Sequence, residues 1–270
     1  MKIGRFRYKN TVFTGIVRDD MVGSVGDIPI EEIIESNRIL TIESLISRWV
    51  SLKDVEYLQL LRPINIICLG LNYRSHAIEG NWQVPDEPIY FEKASSCIIP
   101  NKSPIIIPKN IGRVDPEVEL ALIIGKTCRK VSSSNVMPYI AGYTILNDVT
   151  ARSIQRSDQE KKYPWFRSKS MDTFCPIGPW MTTSDEIDIN EGLKIELRIN
   201  GVVKQASKTD SMLFGIPKII ATITKYLTLY PGDIISTGTP EGISPINPGD
   251  VVECEIEKIG ILSNSVITDD

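Results

Sequence analysis

Residues 115–126 read DPEVELALIIGK, and this stretch decides the fold because it has the pattern of a strand with two carboxylates at its start. Side chains alternate between the two faces of a strand. Glu117 and Glu119 therefore share one face with Ala121 and Ile123, while the residues between them make the other face apolar. The pattern predicts a strand whose acidic beginning leads directly into an apolar interior.

The two glutamates place like charges beside an apolar surface. Such charges repel each other and are costly to remove from water unless a cation joins them. A hard divalent metal ion would remove that cost, because it prefers carboxylate oxygens as ligands. The alternative is a strand that simply begins in solvent, which is frequent where one face of a sheet is exposed.

A third carboxylate, Asp148, follows the mostly apolar run 139–147, where the end of a strand would hold it at a site. On a helix after it, Arg152 and Gln155 fall at i+4 and i+7 and share its face. These three groups suit a metal ion with an anionic substrate beside it, since the planar arginine head binds both oxygens of a carboxylate. The alternative is an ordinary Asp148–Arg152 ion pair, which stabilises a helix by only about 0.2–0.5 kcal/mol.

The chain contains a single histidine, His76, with Glu79 three residues later. On a helix these positions share a face, so the carboxylate can orient the imidazole. Histidine is the usual general base near neutral pH. A neutral-pH mechanism that uses no perturbed carboxylate would therefore depend on His76. The alternative is a surface pair without a role.

Two further segments carry polar groups that need an explanation. Residues 165–180 combine cations with aromatic side chains, a mixture compatible with a nucleic-acid patch or with a solvated loop. Residues 236–242, STGTPEG, follow a predicted strand and can offer backbone N–H groups to an oxyanion. Neither a phosphate loop ending in Gly-Lys-Ser/Thr nor the Gly-x-Ser-x-Gly motif of serine hydrolases is found.

The composition is typical of a soluble enzyme for small molecules. The 270 residues carry a formal net charge of −4, which argues against nucleic-acid binding. The sequence contains no signal-peptide pattern and no apolar stretch of membrane-spanning length. The five cysteines are scattered, which is typical of reduced thiols and not of a disulfide frame or a zinc site. We expect a cytoplasmic protein with neither a nucleic-acid nor a membrane partner.

The order of the elements predicts an α+β fold that is rich in strands. Strand-like runs outnumber helical patterns and do not alternate regularly with them. Residues 1–62 contain three short strand patterns and helical spacing over 30–35 and 42–49, whereas mostly strands follow Pro63. We therefore expect a small N-terminal α/β unit over 1–62 and a catalytic domain over 63–270.

Together these segments resemble the fumarylacetoacetate hydrolase superfamily, in particular its stand-alone C-terminal-domain type. The resemblance runs from about Pro63 to the end of the sequence. It depends on Gly70-Leu71-Asn72-Tyr73 with His76 and Glu79, then Asp115–Lys126, Asn147–Gln155, Lys169–Trp180 and Thr237–Gly242 with Pro248-Gly249-Asp250, and on Asn200, Gly201 and Gln205. It implies a mixed β-sandwich roll, a homodimer and a histidine–glutamate pair on a mobile lid.

The resemblance also implies roles for individual residues. It implies Mg²⁺ or Mn²⁺ held by Glu117, Glu119 and Asp148, with Ca²⁺ as an ion that can take the same place in a crystal. The implied catalytic residues are His76, which activates water, Glu79, which orients the imidazole, and Lys169, which stabilises an enolate. The implied substrate-binding residues are Tyr73, Arg152, Gln155 and Thr239.

The activity implied is hydrolysis of a carbon–carbon bond in a small β-diketo or 2-oxo acid of the acylpyruvate or fumarylpyruvate type. The sequence departs from acylpyruvase-like members at Leu71, where they carry arginine, and over 172–180 it is more similar to 2-hydroxyhepta-2,4-diene-1,7-dioate isomerases. The alternatives are isomerisation or decarboxylation of a 2-oxo or 2-hydroxydienoic dicarboxylate through the same enolate, dehydration of a sugar acid, and binding of 2-oxo acids without catalysis. Retention of both His76 and Glu79 favours hydrolysis, because only hydrolysis needs an activated water.

Overall fold

Strands dominate the secondary structure of the computed structural model, which describes residues 1–269. The strands are β1 (Lys2–Tyr8), β2 (Thr11–Arg18), β3 (Met21–Ser24), β4 (Arg48–Ser51), β5 (Glu56–Tyr57), β6 (Ile66–Gly70), β7 (Ile89–Glu92), β8 (Ile98–Ile99), β9 (Ile105–Ile107), β10 (Val114–Asp115), β11 (Val118–Ile124), β12 (Ile140–Asn147), β13 (Thr150–Ala151), β14 (Cys175–Thr183), β15 (Lys194–Ile199), β16 (Val202–Lys208), β17 (Ile234–Ser236), β18 (Val251–Ile256) and β19 (Gly260–Thr268). The helices are α1 (Ile30–Glu35), α2 (Arg74–Glu79), α3 (Arg152–Glu160), α4 (Phe166–Lys169) and α5 (Ile216–Thr224). Short 3₁₀ turns link several of these elements. The predicted strand-rich α+β class is confirmed.

Two large sheets carry the fold. The first has the main strand order β4-β3-β2-β1-β14-β12-β11-β17-β6-β7, and the second has the order β16-β15-β18-β19-β9. Most neighbouring strands are antiparallel, whereas β17 and β6, β14 and β8, and β19 and β9 pair in parallel. A continuous apolar core joins side chains of both sheets, including Leu120 and Tyr143 of the first and Leu197 and Cys254 of the second. The architecture is therefore a mixed β-sandwich.

Strand β11 is buried along its whole length, as its sequence pattern indicates. Val118, Leu120, Leu122 and Ile124 pack into the core shared by the two sheets. The alternate side chains Ala121 and Ile123 pack into a second core on the opposite face of the first sheet. The predicted division of the strand into two faces is confirmed, and the two glutamates stand at the end where the second of these cores begins.

The first sixty residues continue the large sheet. Strand β1 pairs with β14, with Lys2 opposite Thr182 and Ile3 opposite Met181. The helix predicted over 30–35 is present as α1. A domain boundary between residues 62 and 63 stays a prediction.

The helix predicted over residues 42–49 is wrong. The segment forms a short 3₁₀ turn, Ile42–Leu45, and then enters strand β4. Pairing with β3 decides this outcome, because Gly23 has no side chain and leaves room for the ring of its partner Trp49. A cross-strand contact thus outweighs the local helical spacing.

The region after Pro63 contains strands that the sequence patterns did not predict, among them β14, β16 and β19. The strand predicted over 251–259 ends at Ile256, and the chain then turns back as β19 beside it. The remaining predicted strands agree with observed ones to within a few residues. Over residues 1–269, no helix has the length and apolar character needed to cross a membrane.

Candidate active site and metal centre

The acidic residues of β11 and β12 meet because the two strands are neighbours. Val118 lies opposite Asn147 in the antiparallel pair, and the backbone N–H of Asp148 donates to the carbonyl oxygen of Glu117 over 2.8 Å. Ligand atoms of Glu117, Glu119 and Asp148 consequently all lie within 4.8 Å of one another, and all three residues are buried. The sheet register therefore brings together the three carboxylates that the sequence indicated.

Glu119 accepts hydrogen bonds through one carboxylate oxygen. Its Oε2 receives the Ser236 hydroxyl over 2.6 Å and the Gly238 backbone N–H over 2.8 Å. No donor among residues 1–269 reaches its Oε1, and Glu119 is part of the cavity wall. Burial, reinforced by the nearby Asp148 carboxylate, raises the pKa of Glu119 to about 8. This carboxylate holds its proton near neutral pH unless another cation replaces it.

Glu117 has the opposite electrostatic environment. Burial alone would raise the pKa of Glu117, but the Lys169 ammonium and the Arg152 guanidinium outweigh burial and hold this pKa well below its ordinary value. The Lys169 ammonium lies 2.8 Å from Glu117 Oε2, and the Arg152 guanidinium contacts Oε1. Glu117 is therefore ionised throughout the neutral range.

Two buried lysines flank Asp148. The Lys169 ammonium contacts Oδ2 of Asp148, and the Lys93 ammonium lies 2.7 Å from Oδ1. Burial alone would lower the pKa of Lys93, but the Asp148 carboxylate outweighs it and raises this pKa. Sequence reasoning missed Lys93, although its place as a lysine at the end of the predicted strand 88–93 was the available signal.

The donor set fits a hard divalent cation. Three carboxylates converge on one point, and Glu119 retains an oxygen with no donor on the described part of the chain. Carboxylate oxygens are the ligands that Mg²⁺, Mn²⁺ and Ca²⁺ favour. The triad Glu117, Glu119 and Asp148 can therefore bind a divalent metal ion.

Arg152 lies in the site, but not in the arrangement expected from helical spacing. Its Nε donates to Asp115 Oδ2 over 2.8 Å, and its Nη1 donates to Gln155 Oε1 over 2.6 Å. Helix α3 begins only at Arg152, because the preceding residues of β13 pair with β10. The predicted helical face shared by Asp148, Arg152 and Gln155 is wrong for Asp148, while Arg152 and Gln155 are neighbours in the cavity wall.

His76 and Glu79 form a contact at the cavity. Nδ1 of His76 lies 3.2 Å from Oε2 of Glu79 on helix α2, and His76 is only 6% exposed. The other glutamate oxygen, Oε1, accepts the backbone N–H of Gly242 over 3.0 Å. The ring of Trp82 meets the imidazole edge to face at 5.5 Å between centroids. His76 is buried and lines the same cavity as Glu117 and Glu119, whereas Glu79 is exposed to solvent.

Thr239 and Tyr73, the other two predicted substrate-binding residues, lie in different surroundings. Thr239 lines the cavity, where its hydroxyl donates to the Val118 carbonyl and accepts from Gln205. Tyr73 is fully buried and lies outside the cavity lining. Its hydroxyl has no hydrogen-bond partner within residues 1–269. Its role in substrate binding stays a prediction.

Backbone N–H groups of the loop 236–242 donate hydrogen bonds to carboxylates of the protein itself. The N–H groups of Gly238 and Gly242 donate to Glu119 and Glu79, so they are not directed at a ligand as the sequence reading proposed. This loop ties the acidic triad to the histidine–glutamate pair.

The segment 165–180 supplies inward-facing groups. Helix α4 directs Lys169 to the acidic triad, and Arg167 donates to Asp158 over 2.8 Å. Trp165 lines the cavity with Phe91, and their rings pack edge to face at 5.4 Å between centroids. Both cations are therefore paired with carboxylates, Lys169 in the buried site and Arg167 at the surface. Sequence reasoning missed the aromatic lining, because spacing alone does not indicate which faces of distant segments meet.

Comparison with known proteins agrees with this geometry. Residues 65–267 match the family described as fumarylacetoacetate (FAA) hydrolase C-terminal. The mitochondrial oxaloacetate tautomerase of Rattus norvegicus is 42% identical over 213 residues, which are 76% of this chain and 67% of that protein.

Two solved structures share the fold over the whole chain. A 2-hydroxyhepta-2,4-diene-1,7-dioate isomerase from Mycobacterium marinum has a TM-score of 0.82 and 33% identity, covering 100% of this chain and 99% of that one. A maleylpyruvate hydrolase from Sphingobium sp. SYK-6, in complex with manganese(II) and pyruvate, has a TM-score of 0.86 and 30% identity, covering 100% of both chains. With its β-sandwich, its buried acidic triad and its match over residues 65–267, the chain belongs to the fumarylacetoacetate hydrolase family of enzymes.

Proposed function

We propose that the chain is a divalent-metal-dependent hydrolase that cleaves a carbon–carbon bond in a small 2,4-dioxo acid. One observation carries this proposal: His76, which contacts Glu79, lines the same cavity as the carboxylates Glu117 and Glu119. A potential base and a potential electron sink therefore face one substrate volume.

The metal would be held by Glu117, Glu119 and Asp148. Mg²⁺ or Mn²⁺ there would polarise the 2-oxo group of the substrate and stabilise negative charge on the enolate oxygen. The relative with bound manganese(II) and pyruvate supports both the ion class and the 2-oxo acid. Lys169 would add its positive charge beside the same oxygen, because its ammonium already contacts two of the three carboxylates.

His76 supplies the proton transfer. A carboxylate can only accept a hydrogen bond, so Nδ1 carries the proton that faces Glu79 and Nε2 keeps the free lone pair. His76 takes a proton from water as the water oxygen adds to the 4-oxo carbon. The bond between C3 and C4 then breaks, and its electron pair forms the enolate of pyruvate. Protonation of C3 by the imidazolium releases pyruvate and the carboxylic acid derived from the acyl group.

A second candidate is keto–enol tautomerisation of a 2-oxo acid. The 42% identical rat protein named oxaloacetate tautomerase favours it. Both reactions pass through an enolate at the same oxygen, but tautomerisation moves a proton on carbon without attack by water. The cytoplasmic location and the homodimer stay predictions.

Product analysis tests the proposal. Protein stripped with EDTA is given acetylpyruvate with Mg²⁺, with Mn²⁺ or with no metal, and pyruvate and acetate are measured. We expect equimolar pyruvate and acetate only when metal is present. Turnover that persists in excess chelator would contradict the metal dependence. Enol–keto interconversion without acetate would instead support the tautomerase.

Matched carboxylate variants complete this test. Glu119→Gln removes a ligand, and we expect metal-dependent turnover to fall at least about a thousandfold, by the loss of oxyanion stabilisation. Glu56→Gln changes the same kind of group at an exposed Glu56–Arg7 pair and should leave turnover unchanged. Equal activity of the two variants would contradict the assignment of the triad.

A further inference from the structure

The cavity has an apolar wall formed by Leu71, Trp82, Phe91 and Trp165. All four side chains are half-buried, so each leaves part of its surface in the cavity. Apolar surface of this kind favours contact with an apolar ligand group over contact with water. The wall residues come from segments other than β11 and β12, whose ends carry the acidic triad.

Two glycines make room for the tryptophans of the apolar wall. A Cβ atom at Gly70 would lie 2.7 Å from the ring of Trp165, and one at Gly80 would lie 2.2 Å from the ring of Trp82. Both distances are too short for a real contact, so each indole depends on the missing side chain of its glycine. A larger residue at either glycine would therefore displace the neighbouring indole.

The apolar wall also adjoins the groups assigned to catalysis. Trp82 packs against His76, and Trp165 packs against Phe91. The Lys169 ammonium lies 5.1 Å from the centroid of the Phe91 ring. A substrate that places its 2-oxo acid end beside Lys169 thus directs its other end along this wall.

Few cationic side chains line the cavity. On the described part of the chain, the cationic side chains that line the cavity besides His76 are Lys169 and Arg152. Lys169 is paired with Glu117 and Asp148, and Arg152 with Asp115 and Glu117. The other polar lining groups include the neutral Gln155 and Gln159. A second carboxylate beside the apolar wall would lose water without gaining a cation, which is costly.

We propose, resting on the function proposed above, that the substrate is a 2-oxo acid with one carboxylate and a neutral, flat apolar group at its far end, such as an aryl group. The recognition is made by the apolar wall, with Trp165 and Trp82 as the specificity-determining residues. Dicarboxylates of the same length are disfavoured at this wall.

Binding separates this inference from the catalytic proposal. Phenylpyruvate and 2-oxoglutarate both carry the 2-oxo acid group, but one ends in a phenyl ring and the other in a carboxylate. Calorimetric titration of the Mn²⁺-loaded protein should show that phenylpyruvate binds at least about tenfold more tightly than 2-oxoglutarate. This factor is the lower end of the discrimination that apolar pockets provide. Equal or tighter binding of 2-oxoglutarate would overturn the inference, whether or not any substrate is hydrolysed.

Turnover gives a second readout. We expect kcat/KM for benzoylpyruvate to exceed that for fumarylpyruvate at least about tenfold. Hydrolysis of both with the reverse preference would overturn this inference and leave the proposed function standing. Hydrolysis of neither would contradict the proposed function, and the calorimetric comparison would still decide this inference.

Variants assign the preference to the apolar wall. Trp165→Leu should reduce the preference for phenylpyruvate over 2-oxoglutarate, whereas Trp49→Leu, on the exposed strand β4, should leave it unchanged. Gln159→Arg adds a cation to the lining and should strengthen 2-oxoglutarate binding selectively. If none of these variants changes the ratio of the two affinities, the apolar wall does not determine specificity.

Discussion

The ammonium of Lys93 lies 2.7 Å from Oδ1 of Asp148, and both side chains are almost completely buried. The other oxygen of Asp148 contacts Lys169. A buried ion pair becomes strongly destabilising when one partner is removed, so Lys93 supports the position of the third metal-ligand candidate.

Removal of Lys93 should destabilise the protein and weaken its metal site. We expect Lys93→Met to lower the free energy of unfolding by about 3–5 kcal/mol, because it removes one of the two cations paired with the buried Asp148 carboxylate. Urea unfolding measures the loss, and Mn²⁺ titration measures the affinity. Lys53→Met, at an exposed position, is the control. If Lys93→Met unfolds the protein, Lys93→Arg supplies the comparison. Unchanged stability in both Lys93 variants would show that the pair contributes nothing.

Metal affinity should rise with pH between 6 and 8. The pKa of Glu119 is raised to about 8 from an ordinary 4.5, so a metal ion must displace a proton in this range. The apparent Kd should fall by up to about tenfold per pH unit until Glu119 is ionised. Mn²⁺ titrations at several pH values measure this slope. A pH-independent Kd would contradict the raised pKa.

The same group sets the pH dependence of the metal-free fold. The folded protein binds the Glu119 proton more tightly than the unfolded chain does, so this contribution to stability is complete below pH 4.5 and is lost as pH rises through about 8. We expect the Tm of metal-free protein to fall from pH 6 to 8 more steeply than that of Glu119→Gln, which cannot titrate there. Parallel curves for the two proteins would count against this assignment.

Gly242 should be essential to the histidine–glutamate pair, whereas Gly249 should not. Both have positive φ, but a Cβ at Gly242 would lie 1.9 Å from the Lys204 carbonyl oxygen, while one at Gly249 would meet nothing within 4 Å. Gly242→Ala should displace the N–H that holds Glu79 and lower kcat at least about tenfold. Gly249→Ala should leave kcat unchanged and lower the stability only by the backbone strain of about 1 kcal/mol. Steady-state kinetics and thermal unfolding of both variants measure the difference. Equal kcat values would rule out this role for Gly242.

Gln205 should contribute stability by joining β11 to the loop that follows β17. Its Oε1 accepts the Val118 N–H over 3.0 Å, and its Nε2 donates to Thr239 and to the Pro240 carbonyl. Gln205→Leu leaves these buried groups without partners and should lower the free energy of unfolding by about 2–4 kcal/mol. The exposed neighbour variant Lys204→Ala should change it by less than about 0.5 kcal/mol. If Gln205→Leu also lowers the free energy of unfolding by less than about 0.5 kcal/mol, water replaces the hydrogen bonds of the lost amide.

Strands in which the two faces alternate regularly could be predicted from the sequence, because this alternation determines which side chains enter a core. The two faces of β11 and its acidic start followed from residues 115–126 alone. The misassigned segment 42–49 shows the limit of such reasoning. Its spacing is helical, but the fit of Trp49 against Gly23 of another strand determines its structure.

The candidate site was predictable where the motif order brings ligands together, and not where partners are distant in sequence. Glu117, Glu119 and Asp148 follow from strand ends that the register of β11 and β12 joins. Lys93 lies 55 positions from Asp148, and no local pattern links them. The same applies to Arg152, whose contact with Asp115 arises from a two-residue bridge between β10 and β13.

The central claim is that this site forms the enolate of a 2-oxo acid with His76 as the base, and hydrogen exchange on pyruvate tests it most directly. Pyruvate is incubated in D₂O with Mg²⁺-loaded protein, and its methyl signal is followed by ¹H NMR. We predict loss of the signal that requires both metal and protein and that falls to the level of metal alone in His76→Asn. Exchange no faster than with metal alone, or equally fast in His76→Asn, would contradict the claim.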